Sequence, residues 1–247
     1  MNISLYTVCF NEELILPHFL NYYSRFANRI VIWDNKSTDR SLEIARAYSG
    51  VEICSFDTQG QYSELTLMAI RYRCWKGDQA DFVIVCDADE FLYCDDLPRF
   101  LEQRPDYDIF RPVGFNMIAA EFPANYERLI TEQVKFGARD PNYSKMVLFR
   151  PTQVLEMNYG PGSHTASPVG VAPLRIYDAA EHGDDLKLLH YKNLGFDHRA
   201  DSHSRIARRL HDAEFAKYKF GLHYLWDEQK QRHEFEDIKS RAIQVIN

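Results

Sequence analysis

The chain has 247 residues, of which 45% are hydrophobic and 26% are charged. This balance is ordinary for a folded protein and excludes bulk disorder, and the length suits one large α/β domain with or without a helical appendage. The formal net charge of −7 argues against a nucleic-acid partner, because neutralising a phosphate backbone needs a basic surface.

The first half of the chain alternates strand-like and helix-like segments. Apolar, β-branched runs predict buried strands at residues 3–10, 29–34, 51–56 and 81–86. Apolar side chains at helical spacing predict intervening helices at residues 12–26, 41–48 and 62–75. Strands that alternate with helices are typical of an α/β fold with a doubly wound, mainly parallel sheet.

Polar side chains follow each of the four predicted strands: Asn11, Asp34, Asn35, Asp57, Asp87 and Asp89. In sheets of this kind, ligands bind outside the carboxyl ends of the strands. The repeated placement of polar groups at these ends therefore predicts a binding site along one edge of the sheet.

The second half is less regular. Short strands are predicted at residues 107–115, 145–149 and 186–191, and a Gly- and Pro-rich loop at residues 158–173. From residue 200 to residue 246 the composition is helical and strongly charged, which predicts a C-terminal helical extension.

The N-terminal segment has no basic region of the kind that opens a signal peptide. No apolar run approaches the roughly 18 to 20 residues that a bilayer crossing requires. We therefore expect a cytoplasmic protein without a transmembrane segment, and the sequence leaves peripheral contact with a membrane open.

The tripeptide Asp87-Ala88-Asp89 directly follows the fourth predicted strand. Carboxylate oxygens are the ligands that Mg²⁺ and Mn²⁺ prefer, and such ions keep open positions for substrate phosphates. An acidic turn without a metal is the alternative, but the position after this strand favours a metal site.

Three segments in order, CFNEELILPHFLNYY, VIWDNKSTDRS and VIVCDADEFL, resemble the glycosyltransferase family 2 pattern on the GT-A fold. The second half resembles a bacterial subgroup through Tyr126-Glu127-Arg128, Lys145, Ser163-His164 and His190-Tyr191. This resemblance implies a GT-A catalytic domain at residues 1–197, with a nucleotide-binding half at 1–95 and an acceptor-side half at 96–197. Residues 198–247 would then form the helical extension.

The resemblance also implies site roles. Asn11, Glu13, Asp34 and Asp57 would lie near the nucleotide. Asp87 would lie at the diphosphate, and Lys145 would neutralise the charge of the leaving group. Asp87, Asp89 and His190 would hold Mn²⁺ or Mg²⁺. A solvent-facing lysine and a strand-end histidine without a metal role are the competing interpretations of Lys145 and His190.

The implied reaction is an inverting, metal-dependent transfer of a sugar, by default from a UDP-sugar, to a hydroxyl of a glycan or glycolipid, as in polysaccharide biosynthesis. It needs a general base within hydrogen-bond reach of that hydroxyl. The acidic pair that familiar members carry after the D-x-D is missing here. The candidates are therefore Glu121 first, then Asp185 and His164.

Two other functions remain open on the same fold. A non-catalytic protein that binds nucleotides or sugars would keep the sheet without turnover. A nucleotidyltransferase would share the sheet and the metal, but it would normally carry a Gly-rich basic loop after the first strand, where this chain has the acidic CFNEE.

Overall fold

The computed structural model describes residues 1–246. Over the first hundred residues, strands and helices alternate as predicted up to Val85, and the strand and the helix that follow it were not predicted. The strands are β1 Ile3–Cys9, β2 Arg29–Asp34, β3 Val51–Ser55, β4 Phe82–Val85 and β5 Glu90–Tyr93. The helices are α1 Leu16–Tyr23, α2 Ser41–Arg46, α3 Glu64–Arg73 and α4 Leu97–Glu102.

The second half contains more short elements than predicted. Its strands are β6 Ile109–Arg111, β7 Val113–Ala119, β8 Phe136–Arg139, β9 Leu148–Phe149, β10 Val154–Glu156, β11 Val169–Gly170, β12 Ile176–Asp178, β13 Lys187–Leu194 and β14 Ile243–Gln244. Its α-helices are α5 Ile130–Gln133, α6 Phe196–Ala207, α7 Asp212–Tyr218 and α8 Glu228–Ser240. Short 3-10 helices lie at Pro141–Tyr143, Pro161–Ser163, Ala179–Glu181 and Leu222–Leu225.

The central sheet has the strand order β12-β6-β9-β4-β1-β2-β3. Its pairs are parallel except at β9, which pairs antiparallel with both β4 and β6. This arrangement confirms the predicted α/β fold with a doubly wound, mainly parallel sheet.

Successive side chains along the strands of this sheet pack into hydrophobic clusters on its two opposite faces. Leu5 and Ile84 belong to the core cluster that contains Phe19 of α1. Tyr6 and Val83, one residue away in each strand, belong to the cluster around Trp75 on the other face. Because successive strand side chains point to opposite faces, apolar residues at consecutive positions are what a two-sided core requires.

A second sheet, in the order β14-β8-β7-β13-β5, stands beside the first. Strand β5 begins directly after the Asp87-Ala88-Asp89 turn and pairs antiparallel with β13. In this register His190 lies opposite Glu90 on one side and Asn116 of β7 on the other. The pairing therefore brings the late histidine next to the acidic turn.

Two predicted boundaries differ from the structure for identifiable reasons. The helix predicted from residue 12 starts at Leu16, because the backbone N–H of Glu12 donates to the Ser41 hydroxyl at the start of α2 and Pro17 occupies the first turn. The strand predicted at 107–115 is divided into β6 and β7 at Pro112, which cannot donate to a ladder.

The C-terminal residues return to the body of the protein. Phe235 and Ile238 of α8 are buried against Ile118 and Ala138, and β14 pairs with β8. The proposed boundary between residues 197 and 198 falls inside α6, and the division into domains stays a prediction. Among residues 1–246, none of the helices has both the length and the apolar character that a bilayer crossing requires.

Candidate active site

A cavity of about 330 Å³ opens at the carboxyl ends of β1 and β4, between the two sheets and the C-terminal helices. Its ionisable lining comes from every part of the chain. The acidic residues are Glu12, Glu64, Asp87, Asp89 and Glu234; the Lys and Arg residues are Arg71, Lys145, Lys192, Arg199 and Arg209; the histidines are His164, His190, His203 and His223. Five acidic side chains face five Lys and Arg side chains, so the formal charges of the lining nearly balance.

Asp87 is held by two cations. One of its carboxylate oxygens lies 2.7 Å from Arg71, and the other lies 3.8 Å from the Lys145 ammonium. Burial opposes the charge on Asp87, but Arg71 and Lys145 outweigh it and hold the pKa of this carboxyl below its usual value. Arg71 also contacts Glu64, and Lys145 lies 2.5 Å from Glu90. This network fixes Asp87 and leaves Lys145 buried between two carboxylates.

Asp89 faces a different pair of groups. Its Oδ2 lies 3.5 Å from His190 Nε2 and 3.8 Å from Lys192 Nζ. Burial disfavours ionisation, yet the adjacent His190 and Lys192 hold the pKa of Asp89 well below its usual range. Asp89 is therefore a carboxylate across the working pH range.

Asp89 and His190 are placed to provide two protein ligands to a divalent cation whose remaining ligands come from a substrate. Two ligand atoms about 2.1 Å from one ion can lie 3.5 Å apart, which is the separation of Asp89 Oδ2 and His190 Nε2. Within residues 1–246, no group of three or more His, Cys, Asp or Glu side chains is arranged to hold a metal by itself. An ion here would take its other ligands from phosphate oxygens and water.

The two histidines predicted from the sequence both line the cavity. The ring of His190 stacks on Tyr143, with centroids 4.0 Å apart. His164 Nδ1 lies 2.8 Å from the carbonyl of Asn142, which only accepts, so Nδ1 carries the proton and Nε2 keeps its lone pair. Removal from water and the charge of Lys145 lower the pKa of His164, which keeps its ring neutral at pH 7.

The residues predicted on the nucleotide side lie in the loops that frame the cavity without lining it. Asn11, Glu13 and Asp34, the last residue of β2, accept hydrogen bonds from backbone N–H groups of residues 37–40 after β2, and Asp57 accepts one from Gln59 after β3. Their immediate neighbours Glu12, Asn35 and Phe56 line the cavity. The local backbone conformation turns an adjacent side chain inward, and strand periodicity does not determine which one.

Two of the three proposed general bases lie away from the cavity. Asp185 is paired with Arg104 at 2.8 Å and accepts from the Tyr177 hydroxyl at 2.6 Å. Glu121 is exposed after β7, with its backbone beside Gly195. Of the three, only His164 lines the cavity.

Several residues that line the cavity were not predicted from the sequence. Their spacing along a strand or a helix would have indicated some of them. Lys192 stands two positions after His190 in β13, so both project from one face of the strand. Arg199, His203 and Ile206 share one face of α6 through their spacing of four and three residues. Glu12 gave no local signal; burial raises its pKa to about 7, with the charge of Lys192 opposing that shift.

The family model described as glycosyl transferase family 2 matches residues 4–130. Among curated proteins, none matches this sequence significantly. Among solved structures, glucosyl-3-phosphoglycerate synthase from Mycobacterium tuberculosis is 18% identical over 47% of this chain and 44% of that one, with a TM-score of 0.32. TarS from S. aureus, as its 1–349 fragment, is 12% identical over 95% of this chain and 79% of that one, with a TM-score of 0.41.

This chain therefore spans less than half of the mycobacterial synthase. The family model, in contrast, covers more than half of the 247 residues and includes strands β2 to β7 and most of β1. The chain belongs to glycosyl transferase family 2, as the sequence predicted.

Proposed function

We propose that the chain is a metal-dependent glycosyltransferase that moves a sugar from a nucleotide-sugar, by default a UDP-sugar, to a hydroxyl of a glycan or glycolipid. The observation that carries this proposal is the cavity itself. It lies at the strand ends where α/β sheets bind nucleotides. Asp89 Oδ2 and His190 Nε2, two atoms that can ligate a metal, face it 3.5 Å apart.

The charge of the cavity supports the metal requirement. Its five acidic residues, of which Glu12 has a pKa raised to about 7 by burial, nearly offset its five Lys and Arg residues, whereas a nucleoside diphosphate brings two or more negative charges of its own. When bound beside Asp89 and His190, Mg²⁺ or Mn²⁺ would act as a Lewis acid that stabilises the departing diphosphate.

The residues of the chain would divide the remaining work. Lys192, 3.8 Å from Asp89 and not enclosed by two carboxylates as Lys145 is, would neutralise charge that develops on the leaving group. Asp87 would keep Arg71 and Lys145 in place. The α6 side chains would close the cavity against water.

We propose His164 as the general base. Its Nε2 lone pair would accept the proton of the acceptor hydroxyl while that oxygen bonds to the anomeric carbon. The bond between the anomeric carbon and the phosphate oxygen breaks on the opposite face, so the configuration inverts. The lowered pKa of His164 keeps this nitrogen unprotonated near neutral pH.

The test is release of nucleoside diphosphate from a panel of UDP- and GDP-sugars, with Mn²⁺, with Mg²⁺ and with chelator, on wild type and Asp89→Asn. We expect turnover of one donor class that depends on the metal and is lost in the variant. Tight metal-dependent binding without any release would instead favour the non-catalytic alternative.

A further inference from the structure

The tautomer of His190 decides whether its ring can bind a cation beside Asp89. Of its two ring nitrogens, the one that faces Asp89 must carry a lone pair and not a hydrogen to act as a ligand. The Tyr143 ring stacks on His190 at 4.0 Å with an interplanar angle of 19°. Stacking holds the plane of the ring but does not select which nitrogen carries the proton.

Asn116 and Asp140 supply that selection. Asn116 is 7% exposed, and its Nδ2 donates to Asp140 Oδ2 at 2.9 Å. Its Oδ1 lies 3.0 Å from His190 Nδ1. A carboxylate only accepts hydrogen bonds, so the N–H side of the amide faces Asp140 and the oxygen faces the histidine. His190 Nδ1 must then be the donor, and Nε2 is left to face Asp89.

We propose that Asp140 and Asn116 are positioning residues that hold His190 as the Nδ1–H tautomer, so that Nε2 presents its lone pair to a divalent cation beside Asp89. The hydrogen-bond geometry favours this tautomer of the neutral ring, because Nδ1 lies 3.0 Å from Asn116 Oδ1 whereas Nε2 lies 3.5 Å from Asp89 Oδ2, which is long for a hydrogen bond. The role of the cation rests on the proposed function. In metal sites, a ligating histidine commonly donates its other N–H to such an acceptor, and loss of that partner weakens metal affinity about 10- to 100-fold.

The backbone builds this relay. His190 of β13 and Asn116 of β7 are register partners in a parallel pair. Asp140 is fixed by its own N–H, which donates to the Gly114 carbonyl at 2.9 Å, and its Oδ1 accepts from the N–H of Asn142. The 3-10 helix Pro141–Tyr143 packs so closely on β7 that a Cβ at Gly114 would meet the Tyr143 carbonyl carbon at 2.3 Å.

The first test reads the tautomer directly. Nitrogen-15 shifts of the His190 ring are recorded without metal as the pH is raised until they no longer change, and are assigned with His190→Gln. We expect Nδ1–H in wild type and a shift toward Nε2–H in Asp140→Asn, whose amide no longer dictates the orientation of Asn116. The matched control is Asp178→Asn, another acidic cap of a 3-10 helix, at Ala179–Glu181, which should keep the wild-type pattern.

Nε2–H in wild type, or an unchanged tautomer in Asp140→Asn, would overturn the relay. Asn116→Leu, which removes the acceptor itself, gives a second variant in which Nε2–H should predominate. Folding of each variant is checked from its backbone amide spectrum, and Asp140→Asn decides the matter where Asn116→Leu does not fold.

The second test measures Mn²⁺ affinity by the electron paramagnetic resonance signal of the free ion in the presence of UDP. We expect Asp140→Asn to bind Mn²⁺ at least about 10-fold more weakly than wild type and Asp178→Asn to bind it equally. Equal affinity in Asp140→Asn despite a shifted tautomer would overturn the role toward the cation. If wild type binds no Mn²⁺, the proposed function fails, while the tautomer measurement still decides the relay.

Discussion

The ionisable side chains around the cavity differ in how firmly their charges are held. Arg71 and Lys145 are bound between carboxylates, so a ligand meets little of their charge. Lys192 faces the cavity with Asp89 as its nearest acid, and His164 presents a neutral ring with one free nitrogen. At the residue scale, these two side chains are therefore free to act on a substrate.

Replacing His164 by glutamine tests its role as general base. We expect hydrolysis of the donor nucleotide-sugar, with water in place of the acceptor, to slow by about 10²- to 10⁴-fold. Binding of the nucleotide should change little, because His164 is not placed at the cation. His182→Gln is the control, since His182 also packs on a tyrosine ring but lies outside the cavity. Wild-type rates in His164→Gln would remove it from the mechanism.

His203 makes the stability of the fold depend on pH. Burial, with Lys192 and Arg199 nearby, lowers its pKa to about 2, whereas a histidine in the unfolded chain titrates near about 6.5. Between these values the unfolded state binds the extra proton. The contribution of His203 is therefore fully present above pH about 6.5 and is lost as the pH falls below it.

We expect urea unfolding from pH 6.5 to pH 5 to show a weaker pH dependence in His203→Gln than in wild type, by up to about 1.4 kcal/mol per pH unit. His233→Gln, at an exposed position of α8, should keep the wild-type slope. Identical slopes in wild type and His203→Gln would contradict the assigned protonation state.

At the element scale, the site depends on how closely the 3-10 helix Pro141–Tyr143 approaches β7. Gly114 permits that approach because a side chain there would collide with the backbone of Tyr143 and Ser144. The same helix carries the ring that stacks on His190. A small displacement of this element would therefore disturb the histidine beside Asp89.

Gly114→Ala is expected to lower the free energy of unfolding by about 1–3 kcal/mol through overpacking and to weaken metal-dependent nucleotide binding. Gly183→Ala provides the comparison, because nothing lies within 4 Å of its Cβ position and only its φ of +77° is unfavourable. It should cost about 1 kcal/mol and leave binding unchanged. Calorimetric titration and urea unfolding measure both effects, and intact binding in Gly114→Ala would show that the approach is not needed.

The elements that local pattern predicts are those with long apolar runs. Strands β1, β2 and β4 were predictable because apolar and β-branched residues dominate each of them, and β3 because it carries Val51, Ile53 and Cys54 between two helical segments. Strand β9 falls within the strand predicted at residues 145–149, but β11 has only two residues inside the predicted loop, and β8 was not predicted and pairs with β14 more than 100 residues later. The strand pattern also predicted which edge of the sheet carries the cavity. It could not predict that Glu12, and not Asn11 or Glu13, lines the cavity, because that depends on the loop conformation.

At the scale of the whole molecule, the C-terminal segment completes the cavity. Residues from Arg199 to Ile238 line one wall, and the N–H of His211 donates to the Tyr62 carbonyl on the opposite side at 3.1 Å. The sequence predicted helices here, but their return to the site depends on tertiary packing that no local pattern reports.

Phe235→Ala tests how firmly this segment is attached. Phe235 is 5% exposed and packs with Ile118 and Ala138, so its removal should cost about 3 kcal/mol of unfolding free energy. Phe136→Ala on the neighbouring strand, where the ring is 53% exposed, should cost less than about 0.5 kcal/mol. Equal, small losses in urea unfolding would mean that α8 does not stabilise the body of the protein.

The central claim is that Asp89 takes part in holding a nucleoside diphosphate through a divalent cation. The most direct measurement is calorimetric titration of UDP, GDP and CMP into wild type and Asp89→Asn, with and without Mn²⁺. We predict that one diphosphate binds wild type only when Mn²⁺ is present, and that Asp89→Asn abolishes this binding. Binding that is indifferent to Mn²⁺ and to the substitution, or no binding of any nucleotide, would contradict the account.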